Sequence, residues 1–109
     1  MRTVMGRDID LLNPAPDQIC VFDIAHGLAH QGRFAGHTRK FYSVAEHCVL
    51  ASHLVERGFE LDALLHDAPE TSLGDLIAPV KHLTPQYKSI EGRFEAAYES
   101  IFPINFNHP

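Results

Sequence analysis

The sequence predicts an all-α protein: a single compact bundle of four or five helices formed by residues 1–109. Apolar residues recur every three or four positions in several segments, which is the spacing of one face of an α-helix. No stretch alternates apolar and polar residues over five positions, as a half-buried strand would. Residue types that typically cap helices precede several of the apolar segments.

The first helix is predicted over residues 17–31. Asp17 can cap its start, because a side-chain carboxylate accepts hydrogen bonds from the free amides of a first turn. Its apolar residues lie at helical spacing: Val21, Ala25 and Leu28. The loop that follows, residues 32–42, is the most cationic stretch in a chain whose formal net charge is −5. We therefore expect an anion to bind at this loop.

The second helix is predicted over residues 44–57. Ser43 and Glu46 form a capping box, in which the hydroxyl accepts from the Glu46 amide and the carboxylate reaches back. Gly58 follows the helix as a stop signal. A third helix is predicted over residues 60–68, where a leucine-rich apolar stripe precedes Pro69.

The last helix is predicted to begin at Thr84 and Pro85, a capping hydroxyl followed by proline at the first helical position, and to run to residue 101. A loop with one helical turn precedes it. One face of the helix is apolar: Tyr87, Ile90, Phe94, Ala97 and Ile101. An apolar face with no neighbour is usually buried by a second copy. We therefore predict a homodimer, with a group such as His82 or Glu91 of the partner chain near the site.

Composition excludes several classes of protein. The pI of about 5.8 argues against a surface for duplex nucleic acid or anionic lipid. No apolar stretch approaches the roughly 18 residues of a membrane span, and no leader is recognisable. With only Cys20 and Cys48, the chain needs no disulfide framework. A cytoplasmic location is predicted.

The strongest chemical signal is the adjacent pair His66 and Asp67, which follows the leucine-rich third helix. Burying ionisable groups costs several kcal/mol unless something pairs them. A divalent cation would pair them, because imidazole and carboxylate are both metal ligands. The alternative is a structural His–Asp pair bonded to neighbouring backbone, with no metal. His47 points inward from the first turn of the second helix, so three ligands can converge.

Three runs in order resemble one family: Tyr42 to His47 (YSVAEH), Leu64 to Glu70 (LLHDAPE) and Gly74 to Lys81 (GDLIAPVK). Together they resemble the HD-domain metal-dependent phosphohydrolases. Within that family, the runs are most similar to the branch of bacterial 5'-deoxynucleotidases and small phage and prophage HD hydrolases. The resemblance covers about residues 20–95.

The resemblance implies an HD-type helical fold that holds one divalent metal ion: Mn, Fe, Co, Ni, Zn or Mg. The implied ligands are His47, His66 and Asp67. Glu70 matches an acid that gives or takes a proton beside the metal. Asp75 matches a residue near the substrate sugar and the catalytic water.

Cationic residues are the candidates for binding substrate. By resemblance, Arg33 and Phe34 match a pair that holds phosphate and base, and Lys81 is a further phosphate contact. For Arg33, the alternative is a salt bridge to Glu46 or Asp23. His37 is assigned either to phosphate binding or to ordering its loop.

One departure from the family concerns the fourth ligand, an Asp on a later helix. No Asp follows Asp75, and the later acids Glu91, Glu95 and Glu99 are interpreted as solvated surface. The helix that carries the last Asp is therefore expected to be missing, through truncation, natural shortening or degeneration.

The predicted activity is hydrolysis of a nucleotide or a similar small phosphate ester. A different class is a non-catalytic module of the same fold that binds a nucleotide or a protein partner. Among the other histidines, His26 and His30 have metal-ligand spacing, although hydrogen bonding is the favoured interpretation. His53, His82 and His108 are expected to face solvent.

Overall fold

Six α-helices follow one another in the computed structural model, which describes residues 1–106. They are α1 (Val21–Ala29), α2 (Val44–Leu54), α3 (Glu60–Leu65), α4 (Glu70–Leu73), α5 (Ala78–His82) and α6 (Pro85–Glu99). Single 3-10 turns lie at Pro16–Gln18 and Phe34–Gly36. Residues 1–106 contain two isolated β-bridges and no strand. The predicted all-α class is confirmed.

The start of α1 differs from the prediction. Residues 16–18 form a separate 3-10 turn, and Asp17 lies within it rather than capping α1. Ile19 and Cys20 then adopt extended backbone, so the helix begins only at Val21. Pro16 starts the turn, and the extended pair after it interrupts the helical path that the apolar spacing predicted.

The start of α2 is as predicted. The Ser43 hydroxyl accepts from the Glu46 amide at 3.0 Å, and the Glu46 carboxylate accepts from the Ser43 amide at 3.1 Å. The helix ends at Leu54, three residues before the predicted end at 57. The capping box therefore sets His47 in the first turn of α2.

The third helix is shorter than predicted. It ends at Leu65, and residues 66–69 continue as tight turns in which the amide of Ala68 donates to the Leu65 carbonyl. Pro69 lacks an amide hydrogen and cannot continue an α-helix normally. The break carries His66 and Asp67 out of the helix and into the turn before α4.

Close packing of α1 on α4 depends on Gly27. A Cβ at this position would lie 1.9 Å from Oγ1 of Thr71, which donates to the Asp23 carbonyl at 2.9 Å. Any larger residue requires Thr71, or the two helices, to shift. This approach fixes the position of α4, and with it Glu70, the first residue of that helix.

The apolar face of α6 is covered within one chain. Phe94 and Tyr98 are fully buried with Ala97, and the Tyr98 hydroxyl donates to the Ala68 carbonyl at 3.3 Å. The reason for expecting a homodimer is therefore removed for most of this face, although Ile101 stays exposed.

The loop before α6 supplies no capping hydroxyl. Thr84 precedes Pro85 as predicted, but its hydroxyl donates backwards to the carbonyls of Val80 and Lys81 at 3.0 and 3.2 Å. The helix ends at Glu99 rather than at residue 101. None of the helices in residues 1–106 is long and apolar enough to cross a membrane.

Candidate metal centre

Three side chains from two parts of the fold converge on one point. His47 comes from the first turn of α2, and His66 and Asp67 come from the turn after α3. One ligand atom of each lies within 4.8 Å of the others. We call this group the His–Asp cluster. Its ligand types suit a divalent transition metal.

The turn orients His66 toward Asp67. Nδ1 of His66 donates to the Ala63 carbonyl, so in the neutral ring the lone pair lies on Nε2. That nitrogen is 3.2 Å from Oδ2 of Asp67. A lone pair facing a carboxylate requires a proton or a cation between them. The pair therefore fits both the structural alternative, where a proton is shared, and a metal site.

The contact between His66 and Asp67 shifts the pKa values of both side chains. The hydrogen bond with Asp67 raises the pKa of His66, against the opposing effect of burial. Burial acts to raise the pKa of Asp67, but the hydrogen bond and charge of His66 outweigh it and the pKa is lowered. The contact therefore favours the charged form of each side chain.

His47 is held by Arg33. Nη1 of Arg33 donates to Nδ1 of His47 at 2.8 Å. Burial, and then the positive charge of Arg33, lower the pKa of His47. The structure shows neither of the alternative salt bridges of Arg33, because Glu46 caps α2 and Asp23 accepts from the Met5 amide.

The loop that carries Arg33 has an unusual backbone. Phe34 and Ala35 have φ angles of 54° and 53°, a left-handed conformation that L-residues rarely adopt. The Phe34 ring lies 4.6 Å from the Arg33 guanidinium carbon and is 54% exposed. His37 is exposed at the end of this turn, and the cluster formed by the described residues does not include it.

Glu70 is a buried acid, only 4% exposed. Burial raises the pKa of Glu70 to about 8, helped by the negative charges of Asp67 and Asp75. Asp75 itself is half-buried after Gly74, whose φ of 86° turns the chain at the end of α4. The charge of Asp75 therefore acts on Glu70 and on His47, and that of Glu70 acts on His66.

Lys81 is paired with two acidic side chains. Its ammonium lies 3.2 Å from Glu91 and 4.0 Å from Glu70, and 5.5 Å from the ring centre of Tyr87. Burial acts to lower the pKa of Lys81, but the hydrogen bond and charge of Glu91 outweigh it and the pKa is raised.

The interpretation of Glu91 as solvated surface is wrong, since its side chain is 19% exposed. Part of the contact between Lys81 and Glu91 had a sequence signal. Glu91 follows Tyr87 by one helical turn, so both side chains lie on the same face of α6. The partner on α5 was visible only in the fold.

The remaining histidines lie outside the cluster. His26 and His30 stack at 4.1 Å between ring centres, and Nδ1 of His30 bonds to the His26 carbonyl at 2.7 Å. Their spacing of four residues therefore serves a hydrogen bond within α1 and its end, as the favoured interpretation expected. His53 and His82 are exposed as predicted, and His108 lies outside the described residues.

A groove of about 650 Å³ opens beside the cluster, and His66 lies on its wall. Its other walls come from the end of α2, from α3 and from the segment after α6, including Leu54, Phe59 and Ile104. Of the three cluster residues, His66 borders this groove.

Comparison with known proteins finds relatives but no family. No family model matches the chain. The uncharacterized protein YfdR of Escherichia coli strain K12 is 49% identical over 88 residues, which are 81% of this chain and 49% of that protein. An uncharacterized protein of Rhodobacter capsulatus is 45% identical over 113 residues. This alignment covers 94% of this chain and 58% of the Rhodobacter protein. The chain therefore spans about half the length of the curated relatives it matches.

Proposed function

We propose that the protein is a metal-dependent phosphohydrolase of the HD type, acting on a nucleotide or a similar small phosphate ester. The observation that carries this proposal is the convergence of His47, His66 and Asp67 within 4.8 Å. The sequence resemblance is the second support, because its three motifs meet at or beside this cluster.

The cluster fits a divalent ion by the chemistry of its donors. Two imidazoles and a carboxylate are a ligand set of catalytic transition-metal sites, which leave further positions open. An ion held there would lower the pKa of a bound water and polarise a phosphoryl oxygen. Nε2 of His66, which lies 3.2 Å from Oδ2 of Asp67, is the nitrogen that would hold the ion.

The residues around the cluster have defined roles in this reaction. Glu70, whose pKa burial raises to about 8, is the acid that would donate a proton to the leaving oxygen. Asp75 holds the proton on Glu70 through its negative charge and orients water. Arg33 and Lys81 neutralise charge on the phosphate, and the exposed Phe34 ring offers a base a surface for stacking.

A steady-state phosphatase assay tests the proposal. Nucleoside monophosphates are offered to the protein loaded with Mn²⁺, Co²⁺ or Zn²⁺, and release of inorganic phosphate is measured before and after a chelator. We expect metal-dependent release that Asp67→Asn abolishes. Absence of release with every metal, from a protein that binds metal and nucleotide, would favour the second candidate.

That second candidate is a non-catalytic module of the same fold that binds a nucleotide or a protein partner. The observation favouring it is that the cluster within residues 1–106 has three ligands, where the resemblance implies four. Calorimetry with a nucleotide distinguishes the two, because the module would bind the nucleotide unchanged.

Location and assembly are part of the same proposal. A cytoplasmic enzyme is consistent with Cys20 and Cys48 both being free thiols. Small phosphate esters are the expected ligands, and duplex nucleic acid is not, given the net charge of −5. The homodimer stays a prediction, and light scattering across a concentration series measures it.

A further inference from the structure

Arg33 holds the nitrogen that a metal ion would need. Its guanidinium donates to Nδ1 of His47 at 2.8 Å, and a guanidinium has donors only. Nδ1 is therefore the acceptor, and in the neutral ring of His47 the proton lies on Nε2. The ring is held in one tautomer by a cation from another segment of the chain.

This hydrogen bond excludes coordination through either nitrogen of His47. Coordination through Nδ1 needs the lone pair that Arg33 occupies. Coordination through Nε2 needs the ring proton to move to Nδ1, which then has no lone pair for Arg33. A metal ion bound to His47 and the Arg33–His47 hydrogen bond are therefore mutually exclusive.

The positive charge of Arg33 acts on the rest of the cluster as an ion would. Arg33 is among the charges that act on both His47 and Asp67. In the metal-free protein it offsets part of the negative charge of Asp67. Metal loading places a second cation there, so repulsion adds to the loss of the hydrogen bond.

The guanidinium can leave His47 without a change in its backbone. The Arg33 amide donates to the Tyr42 carbonyl at 2.9 Å, and Gly32 pairs with Ser43, so the base of the loop is anchored. Beyond this anchor, the side chain lies against Phe34, whose ring is largely open to solvent. A released guanidinium at this surface suits bidentate binding of a phosphate.

We propose that Arg33 is a built-in counter-ion that exchanges partners: it binds His47 in the metal-free protein, and metal loading releases it to bind a phosphate group. The inference rests on the proposed function and adds to it a coupling between metal and phosphate. By thermodynamic linkage, a phosphate that holds Arg33 strengthens metal binding by the same factor as metal strengthens phosphate binding.

Calorimetric titration with Mn²⁺, in the presence and absence of inorganic phosphate, tests the coupling. The proteins are the wild type, Arg33→Met, Arg33→Gln and the control Arg39→Met, which removes an exposed cation from the same loop. Without phosphate, both Arg33 variants should bind Mn²⁺ at least about 5-fold more tightly than the wild type, the lower end of typical coupling. Phosphate should tighten Mn²⁺ binding in the wild type and in Arg39→Met, but not in the Arg33 variants.

The outcomes separate this inference from the proposed function. If the Arg33 variants bind Mn²⁺ with wild-type affinity or more weakly, the counter-ion role is wrong while the metal site stands. If neither wild type nor variants bind any metal, both are wrong. A nitrogen NMR spectrum of the metal-free wild type provides a check without substitution. His47 should carry its proton on Nε2, and a proton on Nδ1 would contradict the exchange.

Discussion

Single residues of the cluster are oriented by different kinds of neighbour. His66 is held by Ala63 and Asp67, which are close in sequence, whereas His47 is held by Arg33 from a separate loop. The local pair forms wherever this turn forms. The third ligand arrives only when α2 packs against α3. The cluster is therefore a property of the folded chain, although two of its members are adjacent.

Removing one member of the adjacent pair should abolish metal binding. His66→Ala and Asp67→Ala each take away one of three protein ligands, and two remaining ligands hold an ion only weakly. Metal content after dialysis, measured by elemental analysis, is expected to fall to background in both. His53→Ala removes an exposed histidine of α2 and should leave the metal content unchanged. Retention of metal by both cluster variants would contradict the assignment.

Glu70→Gln should separate catalysis from metal binding. The amide keeps the shape of the buried side chain but cannot transfer a proton, so turnover is expected to fall by about 10²–10⁴-fold. Mn²⁺ affinity should change little. The control Glu56→Gln alters an exposed acid. Full activity in Glu70→Gln would move the acid–base role to Asp75.

The raised pKa of Glu70 also predicts how stability depends on pH. Because burial raises its pKa to about 8, the folded protein keeps a proton that the unfolded chain loses near pH 4.5. Its contribution to stability is present below pH 4.5 and is lost as the pH rises to about 8. In chelator, Glu70→Gln should gain stability relative to the wild type over this window, by at least about 1 kcal/mol at pH 8. Urea unfolding at several pH values measures the difference, and parallel curves would show that Glu70 ionises normally.

At the scale of the elements, α1 and α4 pack closely where Gly27 of α1 faces Thr71 of α4. Gly27→Ala places a methyl group where Thr71 lies, and overpacking of this kind costs about 1–3 kcal/mol. Gly92→Ala on α6 is the matched control, because nothing lies within 4 Å of the added carbon. That variant should be neutral or more stable by about 0.5–1 kcal/mol. Equal urea midpoints for the two variants would mean that α1 and α4 do not pack closely.

At the scale of the whole molecule, metal binding should raise the melting temperature. An ion at 100 times its dissociation constant stabilises the folded state by about 2.7 kcal/mol. For a domain of this size, that corresponds to a rise of roughly 10–20 °C. Differential scanning calorimetry with and without Mn²⁺ measures the shift, and Asp67→Ala serves as the control. A shift of the same size in that variant would indicate binding elsewhere.

Helix class, and part of the candidate site, could be predicted from the sequence because their signals are local. The capping box at Ser43, the proline at residue 85 and the pair His66–Asp67 each act within a few residues. Element boundaries were less predictable. The end of α3 at Leu65 and the delayed start of α1 depend on turns that apolar spacing does not distinguish from helix.

The sequence by itself determined that this chain forms helices and that one turn carries a histidine next to a carboxylate, because propensity, capping and adjacency depend on neighbouring residues. Tertiary structure alone decided which distant groups meet: Arg33 on His47, Glu91 on Lys81, and α6 buried in its own chain. These contacts join residues 10 or more positions apart, and packing selects among the many partners that each charge could have had.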